Sequence, residues 1–278
     1  MTARSVRAGV IGWPVAHSLS PLMMEAWLEA AGMRGSYERI PAPPEGLKAC
    51  IARLSEDGYA GVNITLPHKE AALTLADEAS AAAQAVGAAN MLLWRGAALI
   101  ADNSDVTGVR AALDEAGWQA DDRPVALIGA GGAARAALHV LGQAGVEVRI
   151  VNRNVARAEL LAAEMGCEAQ ILVLTEVDRA LEDSSLVINA TSLGMAGQPP
   201  LALSLEALAS DAAVFDMVYT PLETPLLAAA RAAGLRAVDG LSMLIGQARP
   251  AFEAFFGVPP PDSVAVRDLL ETALEARR

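Results

Sequence analysis

Val125-Ala126-Leu127-Ile128-Gly129-Ala130-Gly131-Gly132-Ala133-Ala134-Arg135 runs from four apolar residues through a glycine-rich turn into a helical pattern. Gly129 and Gly131 let the backbone turn tightly and approach a pyrophosphate, and Ala134 holds the third small-residue position of a GxGxxA pattern. The N–H groups of Ala130, Gly132 and Ala133 and the dipole of the new helix then favour phosphate. A ligand-free strand-to-helix turn can carry the same residues. The apolar strand before it and the helix after it strengthen the dinucleotide reading.

The next apolar run outward, Val148 to Asn152, decides which dinucleotide. A NAD enzyme usually ends this strand on Asp or Glu, which holds the ribose 2′-hydroxyl. Here the chain reads Asn152-Arg153-Asn154, with Arg157 one helical turn on. A carboxylate would repel a 2′-phosphate, whereas Arg153 can bind one bidentately and Arg157 adds charge. The alternative is that both arginines solvate a helix start, but cations there oppose the helix dipole and need a further reason. The pattern points to NADP.

Strands and helices alternate on both sides of this centre. Upstream, Ala8 to Gly12, Tyr37 to Ile40 and Gly61 to Thr65 read as strands, with helices from about Ser20 to Ala31, near Glu45 to Leu54, and after Thr65. Met91 to Trp94 and Ala97 to Ala101 read as a hairpin around Arg95-Gly96. Asp105 to Gly117 has helical spacing, with Val106, Val109, Ala112 and Leu113 on one face. Downstream strands are expected at Leu186 to Asn189, Val214 to Val218 and Arg236 to Val238. Helix returns after Gly240, and Pro259-Pro260-Pro261-Asp262-Ser263 breaks and recaps it before a last amphipathic helix. The alternation predicts βαβ units and mostly parallel sheets, in a two-domain α/β chain. One domain spans residues 1–105 and is completed by 240–278; residues 106–239 form a Rossmann-like NADP-binding domain. A chain of 278 residues suffices for two cores.

The longest uncharged run, Ser184 to Leu205, is interrupted by Asn189, Thr191, Gln198 and two prolines, so no membrane span is predicted. The N-terminus enters an apolar strand without the long apolar region of a signal peptide, and a cytoplasmic location is expected. A net charge of −12 argues against nucleic acid as a partner, and an anionic substrate must be met by local groups. Cys50 and Cys167 form no CxxC pair, the three histidines are scattered, and no metal is expected.

Nine motifs occur in order: His17-Ser-Leu-Ser-Pro21, Asn63-Ile-Thr-Leu-Pro-His-Lys69, Gly87-Ala-Ala-Asn90, Asn103-Ser-Asp105, Gly129-Ala-Gly-Gly132, Asn152-Arg153, Asn189-Ala-Thr-Ser-Leu-Gly-Met195, Asp216-Met-Val-Tyr219 and Gly240-Leu-Ser-Met-Leu-Ile-Gly-Gln247. With this set the chain resembles the shikimate dehydrogenase family over almost its whole length. The resemblance implies reversible reduction of 3-dehydroshikimate to shikimate with NADPH, a step toward chorismate and the aromatic amino acids, by a monomer or homodimer.

The chemistry can also be read from the residues. A carbinol becoming a ketone loses its oxygen-bound proton as hydride leaves carbon. A lysine beside a carboxylate suits that transfer. Lys69 and Asp105 each follow a predicted strand, where open α/β sheets place ligands, and the resemblance gives them these roles. Ser18 and Ser20 share one side of an extended segment before a helix, suited to a carboxylate; Ser20 could instead be an N-cap, with Pro21 at the first helical position. The resemblance gives both serines to the shikimate carboxylate, helped by Tyr219, and the ring hydroxyls to Asn63, Thr65, Asn90, Asp105 and Gln247. It adds Thr191, Ser192, Met217 and Gly240 to the cofactor site.

Ser104 and Asn154 stand where the family usually has Thr, and Thr220 where Asn is common. Two other functions remain open: a quinate/shikimate dehydrogenase with dual NAD(P) use, and a nucleotide-binding regulator without catalysis.

Overall fold

The computed structural model describes residues 5–277. The chain divides into two compact units, one running through Ser104 and resumed at Gln247–Arg277, the other Asp105–Gly246.

The first unit contains β1 (Val6–Gly12), α1 (Ser20–Ala30), β2 (Gly35–Pro41), α2 (Leu47–Glu56), β3 (Gly61–Ile64), α3 (Lys69–Leu75), β4 (Glu78–Ala79), α4 (Ala81–Val86), β5 (Met91–Arg95) and β6 (Ala98–Asp102). They build a six-stranded sheet in the order β2-β1-β3-β5-β6-β4. Parallel pairing of β1 with β2 and β3 follows from the helical crossovers between them, and the Arg95-Gly96 turn makes β5 and β6 antiparallel. Ile11, Ile64 and Leu92 pack on Ile51 and Leu54 in one fully apolar cluster. Two-residue β4 carries too little pattern to be legible in the sequence.

The second unit contains α5 (Asp105–Glu115), β7 (Val125–Ile128), α6 (Gly132–Ala144), β8 (Val148–Val151), α7 (Val155–Glu164), β9 (Ala169–Leu172), α8 (Val177–Leu181), β10 (Leu186–Asn189), β11 (Ala213–Asp216), α9 (Pro225–Ala232) and β12 (Arg236–Val238). Its six-stranded sheet, β12-β11-β10-β7-β8-β9, is parallel throughout. The chain runs outward from β7 through β8 to β9, then resumes on the other side at β10, so β7 and β10 flank a topological switch point. In such sheets ligands bind there, beyond the strands' carboxyl ends.

The helix α10 (Gly240–Phe256) crosses the division after Gly246, so the chain returns to the first unit inside a helix and not at the strand-to-helix change near 240. Phe252 packs edge-on to Trp27 at 5.5 Å. A Cβ on Gly61 would lie 2.5 Å from the Phe255 ring, which is why β3 begins on glycine.

The last helix, α11, is Val266–Glu275, and its cap position, Ala265, makes no side-chain capping bond. Asp262 and Ser263 therefore do not recap the chain as the sequence suggested; Asp262 instead pairs with Arg249. Among the described residues no helix is long and apolar enough to cross a membrane.

Candidate active site

The first unit gathers its polar motif residues at the carboxyl ends of β1 and β3 and on the loops next to them. Tyr37 is buried, and burial pushes its hydroxyl well above the usual range, so it acts as a donor. It gives its proton to Asn63 Oδ1 at 2.6 Å, and Asn63 Nδ2 donates to the Asn90 carbonyl at 3.2 Å. These two bonds leave Asn63 the second hydrogen of its amide and one lone pair of Oδ1.

Asn90 ties three segments together. Its Oδ1 accepts from the Ser104 N–H at 2.8 Å, and its Nδ2 donates to Gln247 Oε1 at 2.9 Å and to Ser104 Oγ at 3.0 Å. Asn103 Nδ2 donates to the Ala88 carbonyl at 2.7 Å, so the 87–90 and 103–105 motifs are bound to one another. Asn90 is thus committed to structure, while Gln247 Nε2 donates to no described residue. Ser104 contributes both its N–H and its hydroxyl to this network.

Thr65 N–H donates to the Ile11 carbonyl at 2.9 Å, and a Cβ on Gly12 would lie 2.4 Å from Thr65 Cγ2. The glycine therefore fixes where the threonine side chain sits. Lys69 opens α3, and its carbonyl accepts from Ala89 N–H at 2.8 Å. Asp105, fully buried, is the first residue of α5 and of the second unit.

Ser18 and Ser20 flank Leu19, which is fully buried and anchors their loop. Ser20 is the first residue of α1, and Leu19 holds the cap position, so Ser20 is not an N-cap. Ser18 Oγ accepts from the Ser20 N–H at 3.3 Å, which leaves the Ser18 hydroxyl hydrogen directed elsewhere. Trp13 is half exposed, its N–H on the Leu66 carbonyl at 3.1 Å, and nothing in the structure explains its bulk there.

In the second unit every cofactor residue expected from the sequence lies at or just beyond the carboxyl edge of the parallel sheet. Gly129 follows β7 with φ +115°, and a Cβ there would be 2.9 Å from Thr191 Cγ2 after β10. That glycine is required by the two loops that meet at the switch point. Gly131 differs: its φ is −106°, ordinary for any residue, and an added Cβ would meet nothing within 4 Å. The protein itself makes no demand for glycine there, whereas a phosphate approaching the backbone would. Gly132 and Ala133 begin α6 behind it.

Arg157 Nε donates to the Ala130 carbonyl at 2.7 Å, so this arginine braces the glycine turn. Asn154 caps α7, accepting from the Arg157 N–H at 3.2 Å, and Asn152 Nδ2 donates to the Asn154 carbonyl at 2.8 Å. Their side chains are occupied by the turn. Arg153 is exposed and, among the described residues, forms no hydrogen bond or ion pair.

Thr191 likewise spends its hydroxyl internally, on Asn189 Oδ1 at 2.7 Å, while Ser192 is exposed beside it. A Cβ on Gly240 would lie 2.3 Å from the Met217 carbonyl oxygen, so Gly240 lets the start of α10 lie against Met217. Tyr219 follows on the same loop.

Asp216 was not among the sequence-based site residues. It is fully buried and accepts from Asn189 Nδ2 at 2.8 Å, Val218 N–H at 3.0 Å and Thr224 Oγ1 at 2.7 Å. The bond to Val218 turns the chain and ends β11 at Asp216, two residues before the expected Val218. Burial pushes its carboxyl above the usual range, against the pull of the three donors. The native state thus holds this proton more tightly than the unfolded chain, whose aspartates titrate near about 3.9. The resulting stabilisation is full below the unfolded value and is lost as pH rises through the folded one. In denaturant titrations the advantage of wild type over Asp216→Asn should shrink as pH rises above the unfolded value of about 3.9. An advantage growing with pH contradicts this.

These groups describe an α/β protein of the dinucleotide-dependent dehydrogenase class, and comparison with known proteins narrows the class. The family model for the shikimate dehydrogenase substrate binding domain matches residues 10–92, and that for shikimate / quinate 5-dehydrogenase matches residues 111–196. The shikimate dehydrogenase (NADP(+)) of Azorhizobium caulinodans is 46% identical over 274 residues, 98% of each chain. The crystal structure of shikimate 5-dehydrogenase from Thermus thermophilus with NADP(H) and shikimate superposes with a TM-score of 0.81 at 38% identity, covering 98% of this chain and 100% of that one. Quinate dehydrogenase from Corynebacterium glutamicum in complex with NAD gives 0.85 at 32% identity, covering 98% and 99%. The chain belongs to the shikimate dehydrogenase family.

Proposed function

We propose that this protein is an NADP-dependent shikimate dehydrogenase, reversibly reducing 3-dehydroshikimate to shikimate. The observation that carries the substrate is the polar cluster of the first unit, where Asn63 and Gln247 keep amide donors free in surroundings otherwise satisfied. A polyol ring needs such fixed donors, and a site built on them rejects analogues that lack a hydroxyl. Ser18 and Ser20 seat the carboxylate, with Tyr219 assisting. Thr65 and Asp105 complete the ring contacts, and Asn90 holds Ser104 and Gln247 in place beside them.

When bound, NADP supplies the acceptor for the hydride. Gly129 to Ala133 hold its pyrophosphate, Asn152 to Asn154 and Arg157 its adenosine end, and Thr191, Ser192, Met217 and Gly240 the remainder. Arg153, uncommitted among the described residues, takes the 2′-phosphate. During oxidation of shikimate the neutral amine of Lys69 accepts the hydroxyl proton as the carbonyl forms; in reverse its ammonium returns that proton to the carbonyl oxygen. Asp105 orients the lysine. The two unpaired thiols, Cys50 and Cys167, suit a reducing cytoplasm, and the protein works there as a monomer or homodimer without nucleic acid.

The test is consumption of NADPH on 3-dehydroshikimate, with shikimate identified chromatographically as the product. A folded protein that consumes no NADPH contradicts the proposal. Gly131→Ala should leave the melting temperature unchanged, since its Cβ meets no protein atom, yet raise KM for NADP several-fold; a stability loss with unchanged KM would contradict the pyrophosphate assignment.

A further inference from the structure

We propose that Arg39 and Arg277 are positioning residues that set the carboxylate seat by holding the peptide carbonyls of Ser18 and His17. Arg39 reaches from β2 and donates through both Nε and Nη2 to the Ser18 carbonyl, at 3.0 and 2.7 Å. Arg277, beyond α11, donates through Nη1 to the His17 carbonyl at 3.1 Å. These contacts span 21 and 260 positions of sequence and converge on two consecutive peptides.

Both arginines also line a cavity of about 430 Å³, together with Pro21 and Glu25. Glu25 and Glu38 line the same cavity, and among the described residues Arg39 forms an ion pair with neither; Glu38 instead faces Arg7 at 3.5 Å. An exposed arginine that gives up its rotamer freedom to one carbonyl, with carboxylates at hand, is spending it on the loop. Leu19, buried between the serines, makes the arrangement a lever: a shift of the Ser18 peptide turns Ser18 Oγ away from the Ser20 N–H it accepts from.

This rests on the reading that Ser18 and Ser20 take the carboxylate. Steady-state kinetics of Arg39→Ala, Arg39→Lys and Arg277→Ala provide the test. Arg39→Ala should raise KM for shikimate about tenfold, leave kcat within about twofold and leave KM for NADP unchanged. Arg39→Lys, with one donor point in place of a fork, should fall between it and wild type, and Arg277→Ala should give a smaller rise. If Arg39→Ala does not fold, Arg39→Lys decides: a rise of at least about threefold supports the assignment. A shikimate KM within about twofold of wild type in the folded Arg39 variants overturns the proposal, as does an equal loss for NADP. Wild type that turns over no shikimate overturns the functional reading itself and this proposal with it.

Discussion

Lys69→Ala should lower shikimate turnover on the order of 10²- to 10⁴-fold while changing KM for either substrate far less. In the proposed mechanism the truncation removes the group that takes the hydroxyl proton, a contribution made in the transition state. It leaves the hydrogen bonds of Asn63 and Gln247 in place. The backbone at Lys69 should survive, because its carbonyl is held by the Ala89 N–H at 2.8 Å and α3 continues beyond it. Initial rates with thermal unfolding as a control check this. A folded variant with wild-type turnover would remove Lys69 from the proton path, and a protein that only binds nucleotide would be indifferent to the change.

Arg153→Ala should weaken NADP by about 1.5 to 3 kcal/mol, roughly 10- to 100-fold, with NAD almost unaffected. Its guanidinium has no partner among the described residues, so its removal breaks no contact there, and on the proposed assignment the loss should fall on the 2′-phosphate alone. Arg157 is the instructive contrast. It is bonded to the Ala130 carbonyl, and its loss should loosen the glycine turn and damage both nucleotides. Because Arg153 is exposed, the discrimination should also diminish as salt is raised. Equal loss of NAD and NADP in Arg153→Ala, measured as KM or by titration, would take the 2′-phosphate away from this residue.

The parallel strands were legible because sheets covered on both faces need unbroken apolar runs, and Val125–Ile128 and Leu186–Asn189 are buried at every position. The strand β9, Ala169–Leu172, escaped notice because it lies at the sheet edge with Gln170 exposed, so its pattern matches a loop. Val214 to Val218 overshot for a different cause: apolar residues continue past Asp216, but its side chain bonds Val218 and bends the chain.

In the site, residues within ordered motifs could be read from sequence, yet what each side chain has left to offer could not. Asn90, Asn154 and Thr191 were expected to face ligands and are largely engaged by neighbours, two of them within three residues and Asn90 by Gln247, 157 positions away. Tyr37 and Arg39 were legible only as members of one strand, with no role for either side chain. Their partners, Asn63 and Ser18, lie 26 and 21 positions away, and no local pattern encodes such pairs.

The measurement that bears most directly on the assignment is the initial rate of the wild-type protein with NADP and with NAD, each supplied with shikimate and with quinate. Rapid turnover confined to shikimate with NADP is the predicted result. Comparable turnover of quinate, or of NAD, would contradict the assigned specificity, and silence in all four reactions from a folded protein would contradict the assignment as a dehydrogenase of this substrate.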